Sequence, residues 1–138
     1  MEDKPLETQA TAALAKGRII EYVLDKLFER CPEIDAGIVA TYEGLLLAGN
    51  VRESHEPENI GAISSLILEN STRIIRELGQ GRLTQLFVLG TNGFTLVKNI
   101  GEVAFLTVTS KNAEIRRSTY YSFLRAAKAV ETIQDWLV

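Results

Sequence analysis

The stretch from Leu83 to Ser110, LTQLFVLGTNGFTLVKNIGEVAFLTVTS, constrains the fold more than any other part of the chain. It holds three apolar runs, and the segments between them, "TNG" and "NIGE", are too short to be crossovers. Parallel neighbours need a connection of about a dozen residues or more, so these three strands must pair antiparallel. Asn92-Gly93 is the strongest short hairpin signal in the sequence. A sheet of this kind has to bury its apolar faces, and the rest of the chain must supply the cover.

A second hairpin precedes it. Ile34 to Thr41 is a continuous run of Ile, Val and Ala with both faces apolar, which predicts a strand covered on both sides. Leu45 to Ala48 is its partner, and "TYEG" is the turn, with Gly44 free to take a positive φ. Three helices complete the chain. The first, from Thr8 to Arg30, sets Ala13, Ile20, Val23, Leu24, Leu27 and Phe28 on one side and Glu21, Asp25 and Glu29 on the other. Pro32 ends it. The second runs from Glu58 to Leu78, with Pro57 opening the first turn and Gly79 and Gly81 closing the last. "GQG" follows a helix instead of preceding one, so it reads as a C-terminal cap and not as a phosphate loop. The third runs from Asn112 to Leu137, with Asn112 or Ser110 as its N-cap. Ile115, Phe123, Ala126, Ala127, Val130, Ile133 and Leu137 form its apolar face, and Arg117, Lys128, Glu131 and Asp135 its wet one. Residues 1–7 read as a frayed segment and 8–138 as a single domain. The fold class is α/β of the α+β type, in the order α-β-β-α-β-β-β-α around one five-stranded antiparallel sheet.

A chain of 138 residues can bury roughly two thirds of its unfolded surface, so this fold needs no disulfide or metal. Cys31 is the only cysteine and His55 the only histidine, which leaves neither a cysteine metal site nor a Ser-His-Asp triad with local partners. His55 lies in the polar stretch "RESHEPEN" and reads as a solvated loop residue. The net charge of −3 argues against nucleic acid as a partner. No segment approaches the roughly 20 apolar residues of a membrane span, and the start of the chain lacks the pattern of a secretory signal. The expectation is a cytoplasmic protein without a cofactor.

The second helix carries more apolar surface than one sheet can cover. At about 100° per residue, Ile60, Ile63, Ile67, Ile74 and Leu78 cluster together, Leu66 widens the arc on one side, and Leu68 and Ile75 widen it on the other. The arc spans roughly 200°, where a helix on a sheet needs little more than 100°. Ser64 and Ser71 lie within it and Gly61 at its edge, small residues that let another backbone approach. Either the first helix or a loop covers the excess, or a second copy does. The strand LTQLFVLG points the same way. Leu83, Phe87 and Leu89 fall on one face and Leu86 and Val88 on the other, with no charge from Leu83 to Gly90 to protect an edge. The expected dimer interface is Ile60, Ile63, Ser64, Ile67, Ser71, Ile74, Leu86, Phe87 and Val88.

Four segments in this order resemble the Roadblock family, named for a dynein light chain: GIVATYEGLLLAGN, NIGAISSLILENSTRII, LFVLGTNGFTLVKNIG and VAFLTVTSKNAEI. The resemblance covers Gly17 to Leu137. Glu43 stands where Asp is frequent before the turn glycine, and the segment before Thr8 has no counterpart. The resemblance implies that the second helix lies on one face of the sheet and the first and last helices on the other. It implies a homodimer in which second helices pair and LTQLFVLG meets its copy. It implies a scaffold or regulator that binds small Ras-like GTPases, as in a bacterial cell-polarity system where such a dimer stimulates its partner's GTP hydrolysis.

The leading reading is therefore a non-enzymatic homodimeric platform for a small Ras-like GTPase. If it promotes hydrolysis, it does so by positioning the GTPase's own groups or by inserting an arginine, with Arg52, Arg73, Arg76, Arg82, Arg116 and Arg117 as candidates by residue type. The alternative is a small-molecule-sensing domain with an apolar pocket. An enzyme ranks below both. Asp35 and Glu43 flank the first strand and Ser64-Ser65 sits mid-helix, with no general base beside either serine in sequence.

Overall fold

The computed structural model describes residues 6–52 and 56–137. Five strands form one antiparallel sheet: β1 (Ile34–Thr41), β2 (Leu46–Val51), β3 (Gln85–Gly90), β4 (Gly93–Ile100) and β5 (Ala104–Ser110). Their spatial order is β2-β1-β5-β4-β3. The two local hairpin systems are joined through β1 and β5, which run antiparallel with Val39 opposite Leu106. This long-range pairing places β1 inside the sheet, where Ile38 and Val39 are fully buried on opposite faces. The continuous apolar run thus finds cover on both sides, as its composition requires.

Helices α1 (Leu6–Arg30) and α3 (Arg117–Leu137) cover one face and α2 (Pro57–Glu77) the other. Ile20, Leu24 and Phe28 of α1 and Phe123, Ala127 and Val130 of α3 meet Val39, Leu96 and Leu106 from the sheet. On the opposite face Leu68 of α2 meets Ile38, Ala40, Val97 and Phe105. Gly49 lets the start of α2 settle on β2, since a Cβ there would lie 3.1 Å from Ile38 and 3.3 Å from Pro57.

Several boundaries and caps differ from the sequence reading. α1 begins at Leu6, two residues ahead of Thr8; residues 1–5 and His55 lie outside the described residues. β2 runs on to Val51, because Arg52 N–H still bonds to Asp35 O at 2.8 Å. α3 begins at Arg117, so neither Ser110 nor Asn112 is its N-cap. Both cap local turns instead: Ser110 Oγ accepts from Asn112 N–H and Asn112 Oδ1 from Glu114 N–H. The hairpin turn centres on Thr91-Asn92, one residue before the Asn-Gly pair. Gly93 opens β4 with an ordinary φ, and its role is spatial: a Cβ there would stand 2.3 Å from Ser110 O. The expected glycine chemistry does hold at Gly44, with φ +95° in the first hairpin. It holds also at the end of α2, where Gly79 (φ +66°) donates to Arg76 O and Gln80 N–H to Ile75 O, a Schellman arrangement.

Candidate interaction surface

The sheet-facing side of α2 is made of its smallest residues. Gly61, Ser64 and Leu68 are buried, and a Cβ at Gly61 would touch Ile38 at 3.5 Å. Ser64 Oγ donates to Ile60 O at 2.7 Å and accepts from Thr107 Oγ1 at 2.8 Å, tying the helix to β5. The small residues therefore admit the sheet's own backbone. The isoleucines that dominate the helical wheel point elsewhere: Ile63 is 58% exposed, Leu66 61% and Ile74 56%, about 140° round the helix from the buried side. Ile60 and Ile67 are half-buried between the two sides, as is Ser71. The first helix does not cover this flank, because it lies on the opposite face of the sheet.

β3 is an edge strand. Leu83 precedes it and so escapes its alternation: Leu83 packs with Leu86 on the α2 side, not with Phe87. Phe87 turns to the α3 side, 5.6 Å from the Tyr120 ring. Gln85 Nε2 donates to Tyr120 Oη at 2.7 Å, which pins the strand to α3. Phe87, Val88 and Leu89 remain 47%, 43% and 66% exposed. Between β3 and the flank of α2 runs an open groove of about 590 Å³, lined among others by Ile63, Ile67, Val88, Thr95 and Thr107.

Taken together, Ile63, Leu66, Ile74, Leu78, Phe87, Val88 and Leu89 leave on the order of 700 Å² exposed, against roughly 800 Å² per partner in a standard interface. The largest apolar patch on a monomer is typically about 300–600 Å². Neither element carries a charged side chain inside the strip formed by Ile63, Ile67, Ile74, Phe87, Val88 and Leu89.

Around this surface the polar groups have structural tasks. Tyr42 Oη donates to Asn99 Oδ1 at 2.7 Å, and Asn99 Nδ2 donates to Leu83 O at 2.6 Å. That chain fixes the approach to β3, and burial pushes the Tyr42 phenol above its usual range. Nothing in the sequence marks it, since the two partners are 57 residues apart. Arg52 caps α1: its guanidinium donates to Phe28 O and Pro32 O and lies 4.6 Å from the Phe28 ring centre. Arg73 pairs with Glu77 at 3.1 Å and Arg82 with Glu102 at 3.8 Å, both on the open surface. Arg76, Arg116 and Arg117 are exposed. Asp35 accepts from Lys111 N–H, Glu43 is exposed in its turn, and Ser65 Oγ donates to Tyr42 O. No group of His, Cys, Asp and Glu among the described residues could hold a metal ion. Among those residues, too, no helix is long and apolar enough to cross a membrane.

A family model of the Roadblock/LC7 domain matches residues 20–110, about two thirds of the chain. The chain belongs to the Roadblock/LC7 family. The matched span runs from the core of α1 to the end of β5 and contains the whole of α2 and β3. Protein MJ0310 of Methanocaldococcus jannaschii, itself uncharacterized, is 28% identical over 82 residues, 59% of this chain and 72% of its own length. Among solved structures, MglB of Myxococcus xanthus superposes with a TM-score of 0.81 at 13% identity, covering 100% of this chain and 97% of MglB. A Roadblock/LC7 domain from Streptomyces avermitilis gives 0.76 at 16% identity, covering 83% and 97%. These likenesses establish the fold, with α2 on one face and α1 and α3 on the other.

Proposed function

We propose that this Roadblock/LC7 chain is a cytoplasmic, non-enzymatic homodimer that binds a small Ras-like GTPase and modulates its GTP hydrolysis. The observation that carries the reading is the uncovered strip shared by α2 and β3. It is large enough for a stable interface, uncharged, and bounded by an open sheet edge, features that suit a second copy related by a two-fold axis. The interface would take in Ile63, Ile67, Ile74, Leu86, Phe87 and Val88, with Ile60 and Ser71 at its margin and Ser64 committed to the sheet beneath. The GTPase partner rests on the family resemblance. Of the six arginines weighed as groups for the GTPase site, Arg52 is held by α1, which leaves Arg73, Arg76, Arg82, Arg116 and Arg117.

The test combines the purified chain with small GTPases from its own genome and follows GTP turnover. Binding with a changed turnover supports regulation, and binding without it reduces the role to a scaffold. No binding to any of them overturns the GTPase reading. The groove beside Val88 is where a small ligand would sit under the alternative, sensory reading. A metabolite that raised the melting temperature of the chain would favour that class, since binding to the folded state alone must stabilise it.

A further inference from the structure

The geometry of β3 points to one register for its pairing with a second copy, centred on Phe87. This inference rests on the homodimer proposed above and specifies how the two edges meet. Gly90 faces Gly93 and Gln85 faces Lys98 in the β3–β4 ladder, and Asn99 N–H donates to Thr84 O. Hydrogen-bonded and non-hydrogen-bonded pairs alternate along an antiparallel ladder. Thr84, Leu86, Val88 and Gly90 therefore direct their N–H and C=O groups to β4. Gln85, Phe87 and Leu89 direct theirs outward, to the open edge.

A two-fold axis that fuses two such sheets with both α2 helices on one face stands normal to the sheet. Facing residues in antiparallel strands share a face, so the axis must pass beside one residue paired with its own copy. Leu86, Phe87 and Val88 are the possible centres. Centred on Phe87, the outward residues match completely: Phe87 faces Phe87 of the second copy, and Gln85 and Leu89 face each other on either side. All three form hydrogen-bonded pairs, each exchanging two bonds. Centred on Leu86, Leu89 would face Leu83, which lies before the strand; centred on Val88, Gln85 would face Thr91 in the turn. Either shift forfeits one pair of bonds at each end of the edge.

The side chains agree with that centre. On the α3 side the two Phe87 rings meet at the axis, each backed by a Tyr120 ring 5.6 Å away, forming a four-ring aromatic row. On the α2 side Leu86 faces Val88 of the second copy in close, non-hydrogen-bonded pairs and continues the floor of the groove.

Disulfide trapping distinguishes the registers. Leu86→Cys and Val88→Cys are made separately, then each is oxidised alone and the two are oxidised after subunit exchange. Facing non-hydrogen-bonded Cα atoms lie about 4.5 Å apart, within bridging range, whereas positions two residues out of register exceed about 7 Å. The mixture should give on the order of tenfold more linked dimer than either variant alone. Efficient linking by Leu86→Cys alone, or by Val88→Cys alone, would move the centre and overturn the register while leaving the dimer. A dimeric mass with no linking in any arm would place the interface off β3 and overturn it too. A monomeric mass would remove the underlying homodimer. Amide exchange on the unmodified protein is an independent check: the amides of Gln85, Phe87 and Leu89 should all slow on dimerisation. Continued fast exchange at Leu89 would indicate the Leu86 centre, and at Gln85 the Val88 centre.

Discussion

Replacing Ile63 by Glu should dissociate the dimer while leaving the protomer folded. Ile63 is 58% exposed, so the substitution removes little from the protomer's core, and surface changes of this kind usually stay within about 0.5 kcal/mol. Fully burying an isoleucine is worth about 1.5–3 kcal/mol. Scaled by its exposed share, burial at the interface contributes about 1–2 kcal/mol per copy. The two-fold axis presents the residue twice, so the loss is about 2–4 kcal/mol, and the dissociation constant should rise roughly 30- to 700-fold. Desolvating a carboxylate at the same place adds to this. The assay is light scattering on a sizing column over a dilution series, with circular dichroism to confirm that the protomer is folded. An unchanged dissociation constant with intact structure would refute the assignment of this flank to the interface. Unfolding of the protomer would refute the claim that the flank is free of the core.

Other substitutions probe the protomer. Arg52→Ala removes two hydrogen bonds to the end of α1 and the stacking on Phe28, and should cost about 1–3 kcal/mol in urea unfolding without altering the dimer dissociation constant. Gly93→Ala forces a Cβ to within 2.3 Å of Ser110 O, so β4 and β5 must part locally; a loss of roughly 2–4 kcal/mol is expected, and a melting temperature within a degree or two of the parent's would contradict it. Tyr42 keeps its proton more tightly in the folded chain than in the unfolded one. Its contribution is therefore whole below pH about 10, the unfolded value, and declines as the pH rises above it, because the unfolded state then binds fewer protons. Tyr42→Phe should lower stability by about 1 kcal/mol at pH 8 through loss of the bond to Asn99, and should flatten the decline above pH 10 in urea titrations.

The sequence made the order of elements legible because punctuation is local. Pro32, Pro57, Gly44 and Gly79 each act within a turn of their own position, and the structure uses them as read. Strand order was not legible in the same way: that β5 joins β1 to β4, leaving β3 at an edge, depends on contacts between residues about 70 apart in the chain. The helical wheel of α2 showed that its apolar arc is too wide for one sheet, but not which side the sheet takes. Hydrophobicity favours the isoleucines, whereas close approach of a helix to strands favours Gly61 and Ser64, and packing distance prevails. Ser110 and Asn112 carry the side-chain chemistry of an N-cap, yet they spend it on turns ahead of α3. Arg52 was weighed as a free cation, since a cap on α1 from 22 residues beyond its end leaves no mark in sequence.

The central claim is that the strip on α2 and β3 is covered by a second copy of the same chain. Light scattering on a sizing column, from the highest soluble concentration downward, tests it most directly. The account predicts a mass near twice 15.3 kDa that falls only on strong dilution. A mass of 15.3 kDa at every concentration would contradict it and leave the strip to a different partner.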